Sequence, residues 1–303
     1  MEKVPVLWLN EFRILMNYRA FFPHDQLEPL AFLANHLETA SRQDDFLRFM
    51  VADGAWQVDE SEVLKQQVVF YPHWAGHRGL QMMALQEGVK MTLLIDEESA
   101  VQGQKFRWDA FFAQLGDVEF IVAERRMAIR EIYQAVARGR TIAISMDGNR
   151  GSSERYIEAP FSERAHFQMR SGGVRLACKL GLPVTYASAT LDGKNPKLTV
   201  RALNAESPEQ LVASAVEAFR LDLESAPYAW KLWQRANRDH RLSFPQPGGQ
   251  FGVRYGDERF VGDVGTGRLI PLTSPDSIEE LNGREYLPLS QCQKLAEMAR
   301  KSA

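Results

Sequence analysis

The sequence predicts an α/β fold: a mixed or mostly parallel sheet flanked by helices, with a helical N-terminal segment and a small β-rich C-terminal appendage. Three observations carry this expectation. Short apolar strands alternate with helical patterns, through short connections, over residues 66–204, the pattern of a sheet covered on both faces. Residues 1–56 have helical apolar spacing, whereas the chain after Leu242 is broken up by glycine and proline.

In order, apolar residues recur with a helical period in Glu11–Phe22 and Leu27–Thr39, and Phe46-Leu47-Arg48-Phe49-Met50 continues that style before Gly54. Val68-Val69-Phe70-Tyr71 is the first strand, β-branched and aromatic, and Pro72 stops it. Gly79–Gln86 reads as a short helix closed by Gly88, Val89–Ile95 as a strand ending at Asp96, and Phe106–Leu115 as a helix leading into strand Val118–Ala123. Met127–Arg138 is amphipathic, with Gly139 as its stop signal. A fourth strand, Thr141–Met146, runs into Asp147-Gly148-Asn149-Arg150-Gly151. Ala165–Leu180 reads as a helix stopped by Gly181, Pro183–Ala189 and Lys197–Leu203 as strands, and Pro208–Arg235 as a long helix. In the tail, Val261–Ile270 looks like a hairpin and Ser290–Lys301 like a closing helix. The change of character places a domain boundary near 242, giving an α/β domain (1–242) and an appendage (243–303). No internal repeat is evident.

Composition narrows the function classes. The net charge is −3 over 303 residues, which argues against nucleic-acid binding through a broadly basic surface. Two cysteines, Cys178 and Cys292, cannot build a disulfide framework or a four-thiolate metal site. No apolar run reaches the roughly 18 to 20 residues needed to cross a bilayer, and Met1-Glu2-Lys3-Val4-Pro5 lacks the order of a secretion signal. A soluble cytoplasmic protein is expected, with peripheral membrane contact still open. The charge is uneven, however. Arg125 to Arg175 holds ten arginines, no lysine and five acids, a net of +5 that leaves −8 for the rest of the chain. Arginine forks suit phosphates and carboxylates, although arginine on solvated helix faces gives the same count.

In open α/β sheets ligands sit beyond the carboxyl ends of the strands. This sequence places His73, Asp96 and Asp147 there. His73 follows a buried strand in a turn of small residues, and a neutral imidazole can take a proton near neutral pH. His77 stands four residues on, the spacing of a metal pair, but Pro72 and Gly76 oppose a regular helix and no third ligand stands out; no metal is expected. Asp147-Gly148-Asn149-Arg150-Gly151-Ser152-Ser153 offers backbone amides, hydroxyls and one fixed charge, able to cradle a phosphate or a developing oxyanion. It is also ordinary turn chemistry. Ser171-Gly172-Gly173 permits close approach to a ligand or to a packed strand. Tyr228, Trp230, Leu232 and Trp233 form an aromatic cluster read chiefly as packing for the long helix, with an acyl-chain lining as the minority reading.

In this order the motifs resemble the lysophospholipid acyltransferase superfamily, particularly the lipid A late acyltransferases. The residues that carry the resemblance are His73-Trp74-Ala75-Gly76-His77-Arg78, Asp147-Gly148-Asn149-Arg150-Gly151, Pro160-Phe161, Gly172-Gly173-Val174-Arg175-Leu176-Ala177, Gly181-Leu182-Pro183-Val184 and Pro227-Tyr228-Ala229-Trp230-Lys231-Leu232-Trp233, over about residues 10–238. The resemblance implies that His73 removes a proton from an acceptor hydroxyl or amine, which attacks an acyl thioester. It implies a phosphopantetheine thioester on acyl carrier protein or coenzyme A as donor, with no other cofactor. The acceptor would be a small molecule or a carrier-tethered group. His77, Arg78, Gly148, Asn149, Arg150, Gly151 and Arg175 would bind substrate.

One position departs from the pattern. The family orients its histidine with an acid five residues later, and here that residue is Arg78. Asp147 or Asp96 must then supply the carboxylate in space, with Asp147 taken as the catalytic acid. Otherwise the chain is a non-catalytic partner for an acylated carrier or another enzyme, or performs thioester hydrolysis or rearrangement on the same scaffold.

Overall fold

The structure, a computed structural model, describes residues 6–24, 29–41, 64–74, 76–106, 108–149, 155–192, 195–243, 250–255, 258–263, 268–271 and 287–288. In chain order these form α1 (Val6–Phe21), α2 (Pro29–Ser41), β1 (Val68–Tyr71), α3 (His77–Gln86), β2 (Met91–Ile95), α4 (Glu97–Phe106), α5 (Trp108–Leu115) and β3 (Val118–Val122). Then come α6 (Ala128–Ala137), β4 (Thr141–Ser145), β5 (Tyr156–Pro160), β6 (Ala165–Arg170), α7 (Ser171–Lys179), β7 (Val184–Asp192), β8 (Asn195–Ala202) and α8 (Pro208–Ser225). Short elements close the chain: α9 (Ala236–Asp239), β9 (Arg241–Leu242), β10 (Gln250–Tyr255), β11 (Glu258–Asp263), β12 (Arg268–Pro271) and β13 (Leu287–Pro288). Two compact units result, one of residues 42–159 and 168–230, the other of 1–41, 160–167 and 231–303.

The first unit is built on a six-stranded sheet in the order β3-β2-β4-β1-β7-β8. All neighbours are parallel except β8, which returns antiparallel along β7. The α/β expectation holds. β1 is buried at all four positions because it lies between two parallel neighbours and under helices, which is why its sequence is continuously apolar. Val69, Tyr71, Leu93, Ala143 and Ala187 face Leu80, Met83 and Phe112 of α3 and α5. The opposite face takes α7: a Cβ added at Gly173 would lie 3.3 Å from Ile144 Cγ2. Gly173 thus serves close helix–strand approach. Asp222 of α8 accepts a 2.8 Å hydrogen bond from the Tyr186 hydroxyl and pairs with Arg201 at 2.6 Å, tying α8 to β7 and β8.

Several elements differ from the sequence expectation. The segment read as one helix, Ala165–Leu180, is strand β6 followed by helix α7. Ala165, Phe167 and Met169 are buried in strict alternation, and this period of two gives way to a helical one only at Ser171. Strand β5 was not anticipated; its glutamate and terminal proline mask a clean alternation of exposed and buried positions. Phe106–Leu115 belongs to two helices, α4 and α5. The long helix expected over Pro208–Arg235 stops at Ser225, since Ala226 precedes Pro227 and adopts φ −145°. Ser207 caps its start, its hydroxyl accepting from the Gln210 amide at 3.2 Å with Pro208 in the first turn. The helical patterns at 46–50 and 290–301 lie outside the described residues.

In the second unit α1 and α2 pack through aromatic side chains. Tyr18 stacks on Phe32 at 4.0 Å, and Phe21 meets Phe161 and Trp233 edge-on or tilted at 4.7 and 5.4 Å. Asn17 donates to the Trp233 carbonyl at 2.6 Å. The tail forms a sheet in the order β12-β11-β10-β13, and the expected hairpin is there with Val261 opposite Ile270. Among the described residues no helix is long and apolar enough to cross a membrane.

Candidate functional site

The sheet register brings the site together. β1 and β4 are parallel neighbours with Tyr71 opposite Ser145, so the second residue beyond each, His73 and Asp147, emerges at the same level of the carboxyl edge. Chain leaving β1 turns into α3 on one face, while the helix that follows β4, β5 and β6 packs on the other. The edge between the two strands is the kind of crevice in which α/β sheets bind ligands.

His73 Nδ1 lies 2.6 Å from Asp147 Oδ1. The His73 backbone N–H donates to Oδ2 at 2.7 Å, and so does the indole N–H of Trp230, also at 2.7 Å. The Ser145 hydroxyl donates to Oδ1 at 3.2 Å and stands 3.2 Å from His73 Nδ1. The Asp147 side chain is fully buried, whereas that of His73 is 29% exposed. Burial pushes the Asp147 carboxyl up, but the charge of His73, its two hydrogen bonds and the Trp230 N–H outweigh it and hold the carboxyl below its usual range. An ionised carboxylate only accepts. Nδ1 therefore carries the ring proton of the neutral imidazole, and the Nε2 lone pair is the one left for a substrate. This is a sealed carboxylate orienting a partly open imidazole.

Asp147, and not Asp96, is the strand-end carboxylate that pairs with His73. Asp96 is used elsewhere: its two oxygens accept from the backbone N–H and hydroxyl of Ser99, both at 2.8 Å, capping α4. Arg78 is half-buried near the start of α3. It is near enough to act on Tyr71, whose hydroxyl is driven upward first by burial and then by the charge of Asp147, with Asp96 adding to this; a Gln81 hydrogen bond and Arg78 pull it back down. Tyr71 stays a neutral phenol at the inner wall of the site.

The remaining expected residues fall in different places. His77 opens α3 and donates Nδ1–H to the Trp74 carbonyl at 3.0 Å; its ring centroid is 5.1 Å from that of His73. No group of three metal-binding side chains forms among the described residues. A Cβ on Gly148 would sit 3.1 Å from His73 Cε1 and 3.2 Å from Ser145 Oγ, so the bare glycine lets the loop close against the imidazole. Asn149 anchors that loop to β6, donating from its side chain to the Gln168 carbonyl and accepting from Arg170 at its own, both at 3.0 Å. Arg150 and Gly151 lie outside the described residues. Arg175 is exposed on α7 and makes no hydrogen bond to the dyad.

Sequence reasoning missed the part played by Trp230. Ala226 and Pro227 end α8, a single 3₁₀ turn covers Pro227–Ala229, and Trp230 emerges extended to form a lone antiparallel bridge with Trp74, the residue after His73. Its ring also packs against Phe219 at 5.3 Å. The spacing Pro227-x-x-Trp230 was the available signal, but an indole N–H aimed at a carboxylate 83 residues away cannot be read from spacing. Trp230→Phe keeps the ring and removes the donor. It should lower thermal stability by about 1–3 kcal/mol, the cost of stripping a bond from a buried charge, and raise the Asp147 carboxyl; denaturant unfolding and carboxyl NMR titration measure both.

No protein-family model matches this chain, and no curated protein is significantly similar to it.

Proposed function

We propose that this chain is an acyltransferase that moves an acyl group from a phosphopantetheine thioester, on acyl carrier protein or coenzyme A, to a hydroxyl or amine of a small-molecule or carrier-tethered acceptor. The observation that supports it most directly is the 2.6 Å His73–Asp147 contact at adjacent parallel strand ends. It restores the oriented histidine of the acyltransferase pattern although residue 78 is arginine. In this reading Nε2 of His73 takes the acceptor's proton as its oxygen or nitrogen attacks the thioester carbonyl. The imidazolium formed is held by Asp147, and the proton passes to the departing thiolate. Asp147 needs no proton of its own at any stage. Arg78, on the first turn of α3 beside Tyr71, serves binding of an anionic part of donor or acceptor.

The reading is tested with a panel of acyl thioesters of graded chain length, following free thiol release with and without hydroxyl and amine acceptors. Release that requires an acceptor, together with an acylated product by mass spectrometry, is the expected result. Equal release without any acceptor would identify a thioesterase instead. No release from any donor, with binding of acylated carrier retained, would identify a non-catalytic partner.

A further inference from the structure

Part of the arginine-rich stretch is accounted for by structure. Arg140 is buried, pairing with Asp117 at 2.7 Å and donating to the Met91 carbonyl at 2.6 Å; Arg138 grips Glu119 at 2.7 Å; Arg170 holds the loop at Asn149. Arg125, Arg126 and Arg130 are different. All three are exposed, and none forms an ion pair with another described residue. They alternate with large apolar side chains left in solvent: Met127 at 45%, Ile129 at 65% and Tyr133 at 46% exposure. Ile129, Arg130 and Tyr133 share the outer face of α6, and Arg126 and Met127 stand in the turn that feeds it. The inner face of the helix, Ala128, Ile132 and Ala135, is buried. Of the neighbouring acids, Glu124 precedes the turn, and Glu131 lies round the helix in its first turn, where it complements the helix dipole.

The position matters as much as the composition. The turn follows β3 and so opens at the same carboxyl edge as His73 and Asp147. β3 and β1 are three strand spacings apart in the sheet order, about 14 Å at about 4.8 Å each.

We propose that the outer face of α6, with Arg125, Arg126, Met127, Ile129, Arg130 and Tyr133, is the docking surface for an acidic carrier protein that presents the thioester to the dyad. This rests on the acyltransferase reading. Arginine forks match carboxylates bidentately. Arginine, methionine and tyrosine are the side chains enriched at protein interfaces, and uncompensated cations speed the encounter with an acidic partner. A lipid surface fits less well. A helix seated in a bilayer inserts a continuous apolar face. On α6 the apolar stripe Ala128, Ile132 and Ala135 is buried in the protein, and the outer face offers Ile129 and Tyr133 interrupted by Arg130.

The test uses the full chain, the Arg126→Glu/Arg130→Glu double variant and an Ile129→Ala/Tyr133→Ala double variant, all at exposed positions outside the dyad. Binding of an acidic acyl carrier protein is measured by calorimetry at low and high salt, and transfer is compared for carrier-borne and free pantetheine thioesters. The charge variant should bind carrier at least ten-fold more weakly, and the wild type should lose affinity with salt. For the carrier-borne donor KM should rise by the same factor, with no change for the free pantetheine donor. Carrier binding that is unaltered in both variants overturns the surface, and so does a wild type that binds no carrier. Loss of binding to anionic phospholipid vesicles, with carrier binding intact, overturns it in favour of a membrane. Patch-dependent carrier binding without transfer from any donor leaves the surface standing and removes the acyltransferase reading. Transfer from carrier with an unchanged KM in the charge variant does the reverse.

Discussion

His73→Ala should abolish the proposed acyl transfer while the protein remains folded. General-base catalysis by a positioned imidazole contributes about 10²- to 10⁴-fold, and no other described side chain is bonded to Asp147 with a ring nitrogen left facing outward. The fold should survive because the residue's structural contribution is mostly its backbone: the His73 N–H keeps its 2.7 Å bond to Asp147, and the bridge from Trp74 to Trp230 does not involve the imidazole. Removing the ring still withdraws one partner from a buried carboxylate, so a lowered melting temperature with intact circular dichroism is expected. His77→Ala loses the bond to the Trp74 carbonyl and the ring contact with His73, but it leaves the His73–Asp147 pair in place and should retain most of the activity. If His73→Ala keeps most of the wild-type rate in the thioester assay, proton abstraction by this imidazole is not the mechanism.

The sheet was legible in the sequence because its strands are short, apolar and regularly separated by helix signals. Val68–Tyr71 and Thr141–Ser145 declare themselves by β-branched content and by the stop signals after them. Their adjacency did not follow from the sequence. β1 and β4 are separated by two other strands along the chain, yet lie side by side in the sheet. That order decides whether His73 meets Asp147 or Asp96. The two aspartates look alike in sequence, each just past a strand. What distinguishes them is the next few residues, for Ser99 turns Asp96 into a helix cap, whereas Gly148 keeps the backbone after Asp147 slim enough to pack on the imidazole. The β6–α7 junction was lost for a different reason. Its hydrophobic residues satisfy a period of two and a period of 3.6 within one short window, and only burial separates them. Trp230 reads from sequence as packing, and it does pack on Phe219, but its indole N–H also holds Asp147.

Asp147→Asn should be the most damaging isosteric change in the chain. Asp147 accepts at both oxygens: His73 Nδ1–H and the Ser145 hydroxyl at Oδ1, the His73 backbone N–H and the Trp230 indole at Oδ2. An asparagine has one acceptor and one donor end, so either orientation fails. With its NH₂ toward Oδ2's place, it opposes two N–H donors. With its NH₂ toward the imidazole, it forces the proton from Nδ1 to Nε2 and removes the lone pair that the proposed reaction needs. The wrong tautomer alone costs about ten-thousand-fold in kcat where a histidine depends on a buried aspartate, and an unmet buried donor costs about 1–3 kcal/mol of stability. Nitrogen NMR of the His73 ring reads the tautomer directly, with Nδ1–H in the wild type and Nε2–H in the variant. The pH dependence gives an independent check. The Asp147 carboxyl is held below its usual range in the fold. Its contribution to stability is therefore complete above the ordinary carboxylate value of about 4 and is lost as pH falls through the lower folded value. Acid unfolding of the wild type should steepen below about pH 4, and that component should be missing from Asp147→Asn. A variant that keeps both the wild-type tautomer and the wild-type rate would show that His73 is not oriented by Asp147.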